Sequence, residues 1–376
     1  MRLRTPKIII PVLSTLLLTG CVADDAQSLV ERYASRTSNA IEVDFDLELL
    51  DTAQLYTPLA DRRERIAEVP EIREGLLDLL ELRHCDLMRL VAERNTSLGR
   101  VALPSQRLIY ELKLLPALEQ CIEYIENDPE RAALRDKLIE LSQSKRSSYA
   151  PLVFNAIYTS SEIEKQFSLG APPLGTEQLG EISPLIEPLE KFELLAKLNG
   201  QTDWQTPAFT DQLEASYELF YRSDFGPRWI SSMALLTQTL EQTSLALEQR
   251  LTGRPICFNG KQNNQSKILW TVFNKFYVQE LQPYIALVER QGKQWSLLHT
   301  HILQHLEPVE QTALIAPFVN VDSSDGIWSR YLKARDRHTQ AWQKVLEQCG
   351  LRPGSQDRLS YYERPQMSKI LTGITS

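Results

Sequence analysis

The chain has 376 residues, of which 43% are hydrophobic and 24% are charged, and its formal net charge at pH 7 is −8. This composition is that of a globular protein and excludes an intrinsically disordered chain. The acidic balance argues against nucleic acid as a partner, because nucleic-acid binding is dominated by Lys and Arg contacts to phosphate, and it offers no polybasic patch for anionic lipid.

The N-terminus has the organisation of a secretory signal peptide, residues 1–20. Three basic residues precede an apolar run, residues 8–18, which is too short to span a bilayer. The run ends in Leu-Thr-Gly-Cys at residues 18–21, which resembles a bacterial lipobox. That resemblance implies cleavage before Cys21, attachment of a diacylglyceryl group to its thiol and acylation of its new amino group, with chains such as palmitate. Three acyl chains anchor a protein stably, whereas one chain binds only marginally.

The residue after the predicted anchor indicates a destination. Residue 22 is Val and not Asp, so by family analogy the chain lacks the signal for retention in the inner membrane. We expect a lipoprotein of the Gram-negative outer membrane that faces the periplasm. Residues 1–20 carry three positive charges and no acidic residue, so their removal changes the net charge from −8 to −11. An ordinary signal peptide followed by a chance cysteine is the alternative.

The mature chain is long enough for more than one folded unit. Residues 21–39 are polar and predict a lipid-anchored tether that lifts the body off the membrane. The remaining length exceeds the roughly 250–300 residues at which one hydrophobic core tends to split, so we expect two lobes. Residues 170–175, rich in Gly and Pro, give the strongest linker signal. The predicted units are an N-terminal helical lobe (40–170), a C-terminal helical lobe (171–350) and a loose tail (351–376).

Hydrophobic periodicity predicts an all-α protein. Apolar residues recur at helical spacing in both lobes, and no segment has a convincing strand pattern. The predicted helices, in chain order, are 71–94, 104–126, 129–143, 150–167, 184–198, 208–222, 227–251, 264–291, 294–306 and 325–349.

Four cysteines follow the anchor, namely Cys85, Cys121, Cys257 and Cys349. An even number in an exported chain predicts two disulfides, because the periplasm is oxidising. Four cysteines allow three connectivities. We predict the pairs Cys85–Cys121 and Cys257–Cys349, because each pair then closes within one lobe. A zinc site made by the four cysteines is the alternative, but the sequence lacks any Cys-x-x-Cys spacing.

Histidines are the other candidate ligands. His299, His301 and His305 lie within seven residues, and histidine is the commonest metal ligand. At about 100° per residue, however, His299 lies on the apolar stripe of its helix, about 160° from His301. The three side chains therefore do not surround one ion, and we predict no metal and no cofactor, with a two-histidine site completed elsewhere as the alternative. His338 shares an arc with Trp342, which favours a hydrogen-bonded core histidine.

Short segments spread along the chain carry a family resemblance. They are Arg-His-Cys-Asp-Leu at 83–87, Glu-Arg-Asn at 93–95 with Leu-Gly at 98–99, Arg-Pro-Ile-Cys-Phe-Asn at 254–259, Gln-Pro-Tyr at 282–284 and Gln-Cys-Gly at 348–350. These segments resemble an uncharacterised family of Gram-negative lipoproteins, a domain of unknown function. The resemblance supports a lipoprotein with paired structural cysteines, and it implies no activity and no catalytic residue.

The sequence contains no nucleophile elbow and no P-loop, so we predict no catalytic residue. The favoured function is binding of a protein or glycan partner in the envelope, by a body that Cys21 attaches to the membrane. An envelope hydrolase for a peptidoglycan-type substrate, with acidic residues from distant helices, is one alternative. A carrier of a hydrophobic ligand between helices is the other.

Overall fold

The structure, a computed structural model, describes residues 25–70, 82, 85, 87–96, 99, 101–177, 180–202 and 205–351. No strand occurs in these residues, and the predicted all-α class is confirmed. No helix in this part of the chain is long and apolar enough to cross a membrane. The α-helices are α1 (Ala26–Ile41), α2 (Thr52–Leu55), α3 (Arg62–Arg65), α4 (Leu87–Asn95), α5 (Pro104–Tyr124), α6 (Ala132–Ser147), α7 (Tyr149–Tyr158), α8 (Ser161–Lys165), α9 (Ser183–Lys197), α10 (Leu213–Arg222), α11 (Phe225–Thr252), α12 (Asn264–Val272), α13 (Gln282–His305), α14 (Thr312–Val319) and α15 (Ile327–Glu347).

Several sequence predictions fall outside the described residues. They are the signal peptide (1–20), the lipidated Cys21, the tail from residue 352 onward and most of the predicted helix 71–94. Helix α4 corresponds to the last part of that predicted helix.

Helix α1 occupies most of the segment predicted as a tether, and that prediction is wrong for residues 26–39. The Asp25 carboxylate accepts a hydrogen bond from the Ser28 amide at 2.6 Å and so caps the helix. Leu29 and Tyr33 are buried on the face that contacts the body. The many polar residues of this segment favour a linker, but its apolar residues recur at helical spacing and bind it to the core.

Most of the described chain packs around one large hydrophobic core that contains helix α11. Nearly every side chain between Phe225 and Leu240 is buried, because α11 has neighbours on all sides, chiefly α15 and α1. A helix that is buried all round belongs in the centre of a domain. Four buried tryptophans fill this core, and they are Trp229, Trp295, Trp328 and Trp342.

The predicted linker at residues 170–175 is fastened to this core. Leu174 is fully buried, its amide donates to Oγ of Ser232 at 2.8 Å, and its carbonyl accepts a hydrogen bond from the Tyr284 hydroxyl at 3.1 Å. The large core contains residues from both predicted lobes, so the boundary predicted at residue 170 does not divide it. Gly and Pro indicate irregular backbone, but they do not reveal whether that backbone is docked.

A second, smaller hydrophobic cluster joins α4, α5 and α6. The Cys85–Cys121 disulfide lies in this cluster. The Cys257–Cys349 disulfide lies on the large core, where it joins the turn after α11 to the end of α15. Both predicted pairings are confirmed, and each hydrophobic cluster is stapled by one disulfide.

One continuous helical rod replaces the two helices predicted between residues 264 and 306. Helix α12 passes into a π-helical segment, Phe273–Leu281, and then into α13 without a break. The predicted interruption falls near Gly292, which lies inside α13. A Cβ atom at Gly292 would lie 2.1 Å from Nε1 of Trp229, so the glycine permits close helix packing there and does not end the helix.

Candidate functional site

The structure separates the three neighbouring histidines of α13. His299 is fully buried, its Nδ1 lies 2.9 Å from the Tyr158 hydroxyl oxygen, and burial lowers its pKa to about 3. The His301 side chain is 39% exposed, with Nδ1 3.2 Å from Oε1 of Glu193, and His305 is exposed. Within the described residues, no group of three His, Cys, Asp or Glu side chains is placed to hold a metal ion.

His338 is a hydrogen-bonded core residue, as predicted. Its Nε2 lies 2.6 Å from the hydroxyl oxygen of Tyr33, and Nε1 of Trp342 donates to the same oxygen at 2.8 Å. Burial lowers the pKa of His338 to about 3, so the ring is neutral at physiological pH. A neutral, enclosed imidazole here holds α1 against α15.

A cleft with a volume of about 580 Å³ lies between α1 and the π segment. Helix α1 contributes three side chains spaced three and four residues apart, which places them on one face of the helix. A π-helical turn frequently occurs at functional sites. The side chains from α1 are Leu29, Arg32 and Arg36, those from the π segment are Lys275, Phe276 and Glu280, and Thr176 completes the lining.

Two cations of the cleft lie over one aromatic ring. The guanidinium carbon of Arg36 is 5.5 Å, and Nζ of Lys275 is 5.2 Å, from the centroid of the Phe276 ring. Both distances fall within the roughly 6 Å range of cation–π attraction. Arg32 forms an ion pair with Glu280 at 3.1 Å, whereas no ion pair between described residues involves Arg36 or Lys275. The cleft therefore keeps two positive charges that no described carboxylate neutralises.

The sequence does not predict this cleft. Arg32 and Glu280 are 248 residues apart, so no local motif contains the charges that meet here. The net charge of −8 is an average over the chain, and it conceals a local excess of cations. The spacing of four between Arg32 and Arg36 is the one sequence feature that points to the basic face of α1.

Two other cavities also contain cations, some of which pair with described carboxylates. A cavity of about 480 Å³ lies beside the ends of α6 and α9, and its Arg146 donates to the carboxylate of Glu119. A cavity of about 510 Å³ lies beside α4 and α5, and its Lys113 pairs with Asp211 at 2.6 Å. The cleft beside α1 is set apart by two cations that share one aromatic ring, and we take it as the candidate site.

A family model described as a protein of unknown function (DUF3080) matches residues 30–353, which is most of the chain. No curated protein and no solved structure matches the chain. The match confirms the expected membership of an uncharacterised family, and the family description names no activity. The chain therefore belongs to the DUF3080 family of proteins of unknown function.

Proposed function

We propose that this chain is a lipid-anchored protein of the Gram-negative outer membrane that faces the periplasm and binds an anionic partner in the cleft between α1 and the π segment. One observation carries the binding proposal: Arg36 and Lys275 lie over the Phe276 ring, and neither forms an ion pair with a described residue. The anchor proposal rests on the sequence Leu-Thr-Gly-Cys at residues 18–21.

The chemistry of the three side chains suits an anion. A guanidinium presents planar donors that match a carboxylate or a phosphate, and an ammonium adds a compact point charge. Phe276 forms an apolar wall, and its contact with both cations restrains two long side chains that would otherwise lose entropy on binding. The volume of about 580 Å³ lies within the range of small-ligand sites, roughly 300–1,000 Å³.

The alternative functions fit this cleft less well. A peptidoglycan-type hydrolase needs two carboxyl groups, about 5–9.5 Å apart. Among the described residues one acid, Glu280, lines the cleft, and its carboxylate binds Arg32. A carrier of a hydrophobic ligand needs an apolar cavity, whereas charged side chains from both α1 and the π segment line this one. Anion binding is therefore the better match.

Isothermal titration calorimetry with inorganic pyrophosphate tests the binding proposal. The protein is the mature chain with Cys21→Ser, which carries no lipid. We expect Lys275→Glu to weaken pyrophosphate binding by about tenfold to a hundredfold, because a hydrogen bond to a charged group contributes about 1.5–3 kcal/mol and 1.4 kcal/mol corresponds to tenfold.

Lys267→Glu is the matched control. It makes the same change of charge at an exposed residue of α12, in the same helical rod but outside the cleft. We expect it to change the affinity for pyrophosphate by less than about twofold, because salt screens exposed charges beyond about 10 Å. Equal losses in the two variants would show a response to net charge alone, and no loss in either would refute the site.

Metabolic labelling with palmitate tests the anchor proposal. We expect the native chain to incorporate the label and to sediment with membranes. The Cys21→Ala chain is expected to remain unlabelled and soluble in the periplasm, because the thioether bond requires the cysteine thiol. A native chain without label would contradict the anchor.

A further inference from the structure

We propose that the anion bound in the cleft is the phosphate headgroup of an acidic phospholipid in the membrane that holds Cys21; this inference rests on the anion-binding function proposed above. It identifies the source of the anion and orients the body, with helix α1 along the membrane surface.

The link between the lipid and the folded body is short. Residues 22–25 are all that separates Cys21 from Ala26, the first residue of α1. At about 3.5 Å per extended residue, the distance from Cys21 to Ala26 is at most about 18 Å. Ala26 and Leu29 are buried, so unwinding α1 to lengthen the link would expose apolar surface. The body therefore stays close to the membrane.

The cleft lies near the end of the body where this link arrives. Leu29, in the first turn of α1, lines the cleft. Arg32 and Arg36 follow Ala26 by six and ten residues, which is about 9 and 15 Å along the helix axis. With the link fully extended, both cations are still within about 35 Å of the anchored residue. When α1 lies along the membrane surface, they reach the headgroups.

The distribution of charge favours this orientation. The mature chain has a net charge of −11, so an acidic surface repels the body as a whole. Of the described residues that line the cleft, three are basic (Arg32, Arg36 and Lys275) and one, Glu280, is acidic. An acidic membrane therefore attracts this face of the body, because basic residues next to a membrane are drawn to anionic lipids.

The anchor also raises the concentration of the ligand. A short link holds two binding groups together at effective concentrations in the millimolar range. A site that is weak for an anion in solution is then filled by headgroups of the same membrane. Free phosphate offers the same chemistry to Arg36 and Lys275, so the test has to separate the two sources.

The test uses the mature chain coupled to vesicles through Cys21, the one cysteine outside the two disulfides. A maleimide lipid couples the thiol to vesicles of phosphatidylcholine, either alone or with about a third of phosphatidylglycerol. Pulses of acetic anhydride followed by mass spectrometry give the acetylation rate of each lysine. We expect the rate at Lys275 to fall about tenfold on the phosphatidylglycerol vesicles, because a bound headgroup covers the amine.

Two controls make the outcomes distinct. Lys267, exposed in α12, should change by less than about twofold, and Arg36→Glu should abolish the protection of Lys275. Inorganic phosphate, added to phosphatidylcholine vesicles at the concentration of the acidic lipid, should protect Lys275 little. Equal protection by free phosphate would overturn the lipid source and leave the anion site standing. No protection in either condition, together with no pyrophosphate binding in solution, would overturn both proposals.

Discussion

The hydroxyl oxygen of Tyr33 lies 2.6 Å from Nε2 of His338 and joins α1 to α15 across 305 residues of sequence. The same oxygen accepts a hydrogen bond from Nε1 of Trp342 at 2.8 Å. All three side chains are buried, so water does not compete for these bonds. They hold the N-terminal helix, and with it the basic face of the cleft, on the core of the body.

We expect Tyr33→Phe to lower the free energy of unfolding by about 1–3 kcal/mol, because two buried polar groups lose their partner while the ring remains. Urea unfolding measures the change. Tyr124→Phe is the control, since that side chain is 69% exposed at the end of α5, and it should stay within about 0.5 kcal/mol of the native chain. A Tyr33→Phe chain as stable as the native one would contradict a structural role for the bond.

Acid should destabilise the protein through the buried His299 and His338. Burial lowers the pKa of His299 and of His338 from 6.5 to about 3. Between pH 6.5 and 3 the unfolded chain therefore binds more protons than the folded chain. The contribution of the two neutral histidines to stability is fully present above pH 6.5 and is lost as the pH falls toward 3. Well inside that window, each histidine lowers the free energy of unfolding by about 1.4 kcal/mol per pH unit.

Urea unfolding at a series of pH values checks this prediction. The slope of the unfolding free energy against pH reports the number of protons taken up on unfolding. Between roughly pH 4 and 6, we expect this number to be smaller by about one for His338→Gln than for the native chain. His305→Gln is the matched control, because His305 is exposed in the last turn of α13. The same slope for all three chains would mean that His338 takes up its proton in the folded protein.

A methyl group at Gly226 would lie 2.2 Å from the carbonyl oxygen of Gln166. The Gln166 side chain is bonded to the backbone at the start of α11. Its Oε1 accepts from the Gly226 amide at 3.0 Å, and its Nε2 donates to the Ser223 carbonyl at 2.7 Å. We expect Gly226→Ala to lower the free energy of unfolding by about 1–3 kcal/mol, because buried backbone has to shift.

Thermal unfolding compares Gly226→Ala with Gly253→Ala. At Gly253 an added Cβ would lie 3.7 Å from its nearest neighbours, and φ is −91°, so the substitution should change stability by no more than about 0.5 kcal/mol. Equal melting temperatures for the two variants would show that the backbone at Gln166 moves away from the added methyl group without a cost in stability.

The two disulfides should differ in their rate of reduction. Cys85 is half-buried, whereas Cys121, Cys257 and Cys349 are buried. We expect dithiothreitol to reduce Cys85–Cys121 first in the folded protein, because an attacking thiolate has to reach a sulfur atom. Alkylation of new thiols at timed intervals, read by mass spectrometry, gives the order. Earlier reduction of Cys257–Cys349 would contradict the difference in exposure.

Periodicity predicts most of the long helices closely. The predicted helix 104–126 corresponds to α5, which spans Pro104–Tyr124. The predicted helix 227–251 corresponds to α11, which spans Phe225–Thr252. These helices are recoverable because repeated apolar residues mark a buried face. The sequence does not predict helix α14, and it predicts a tether where α1 lies. A short or polar-rich segment shows its buried face only when its neighbours are known.

The disulfide pairing is right although the large core does not follow the boundary used to predict it. The prediction places each pair within one of two lobes that are divided at residue 170. The large core instead crosses that boundary, and each pair lies within one hydrophobic cluster. The pairing is correct because Cys85 and Cys121 both lie in the small cluster, whereas Cys257 and Cys349 both lie on the large core.

The helical class, most helix positions and the four structural cysteines can be read from the sequence, because these features follow from residue type and from spacing along the chain. The docking of residues 170–175 on the core, the contact of Tyr33 with His338, and the position of Arg36 and Lys275 over the Phe276 ring depend on tertiary packing. Residues far apart in sequence meet only through the packing of entire helices, and no local pattern encodes that packing.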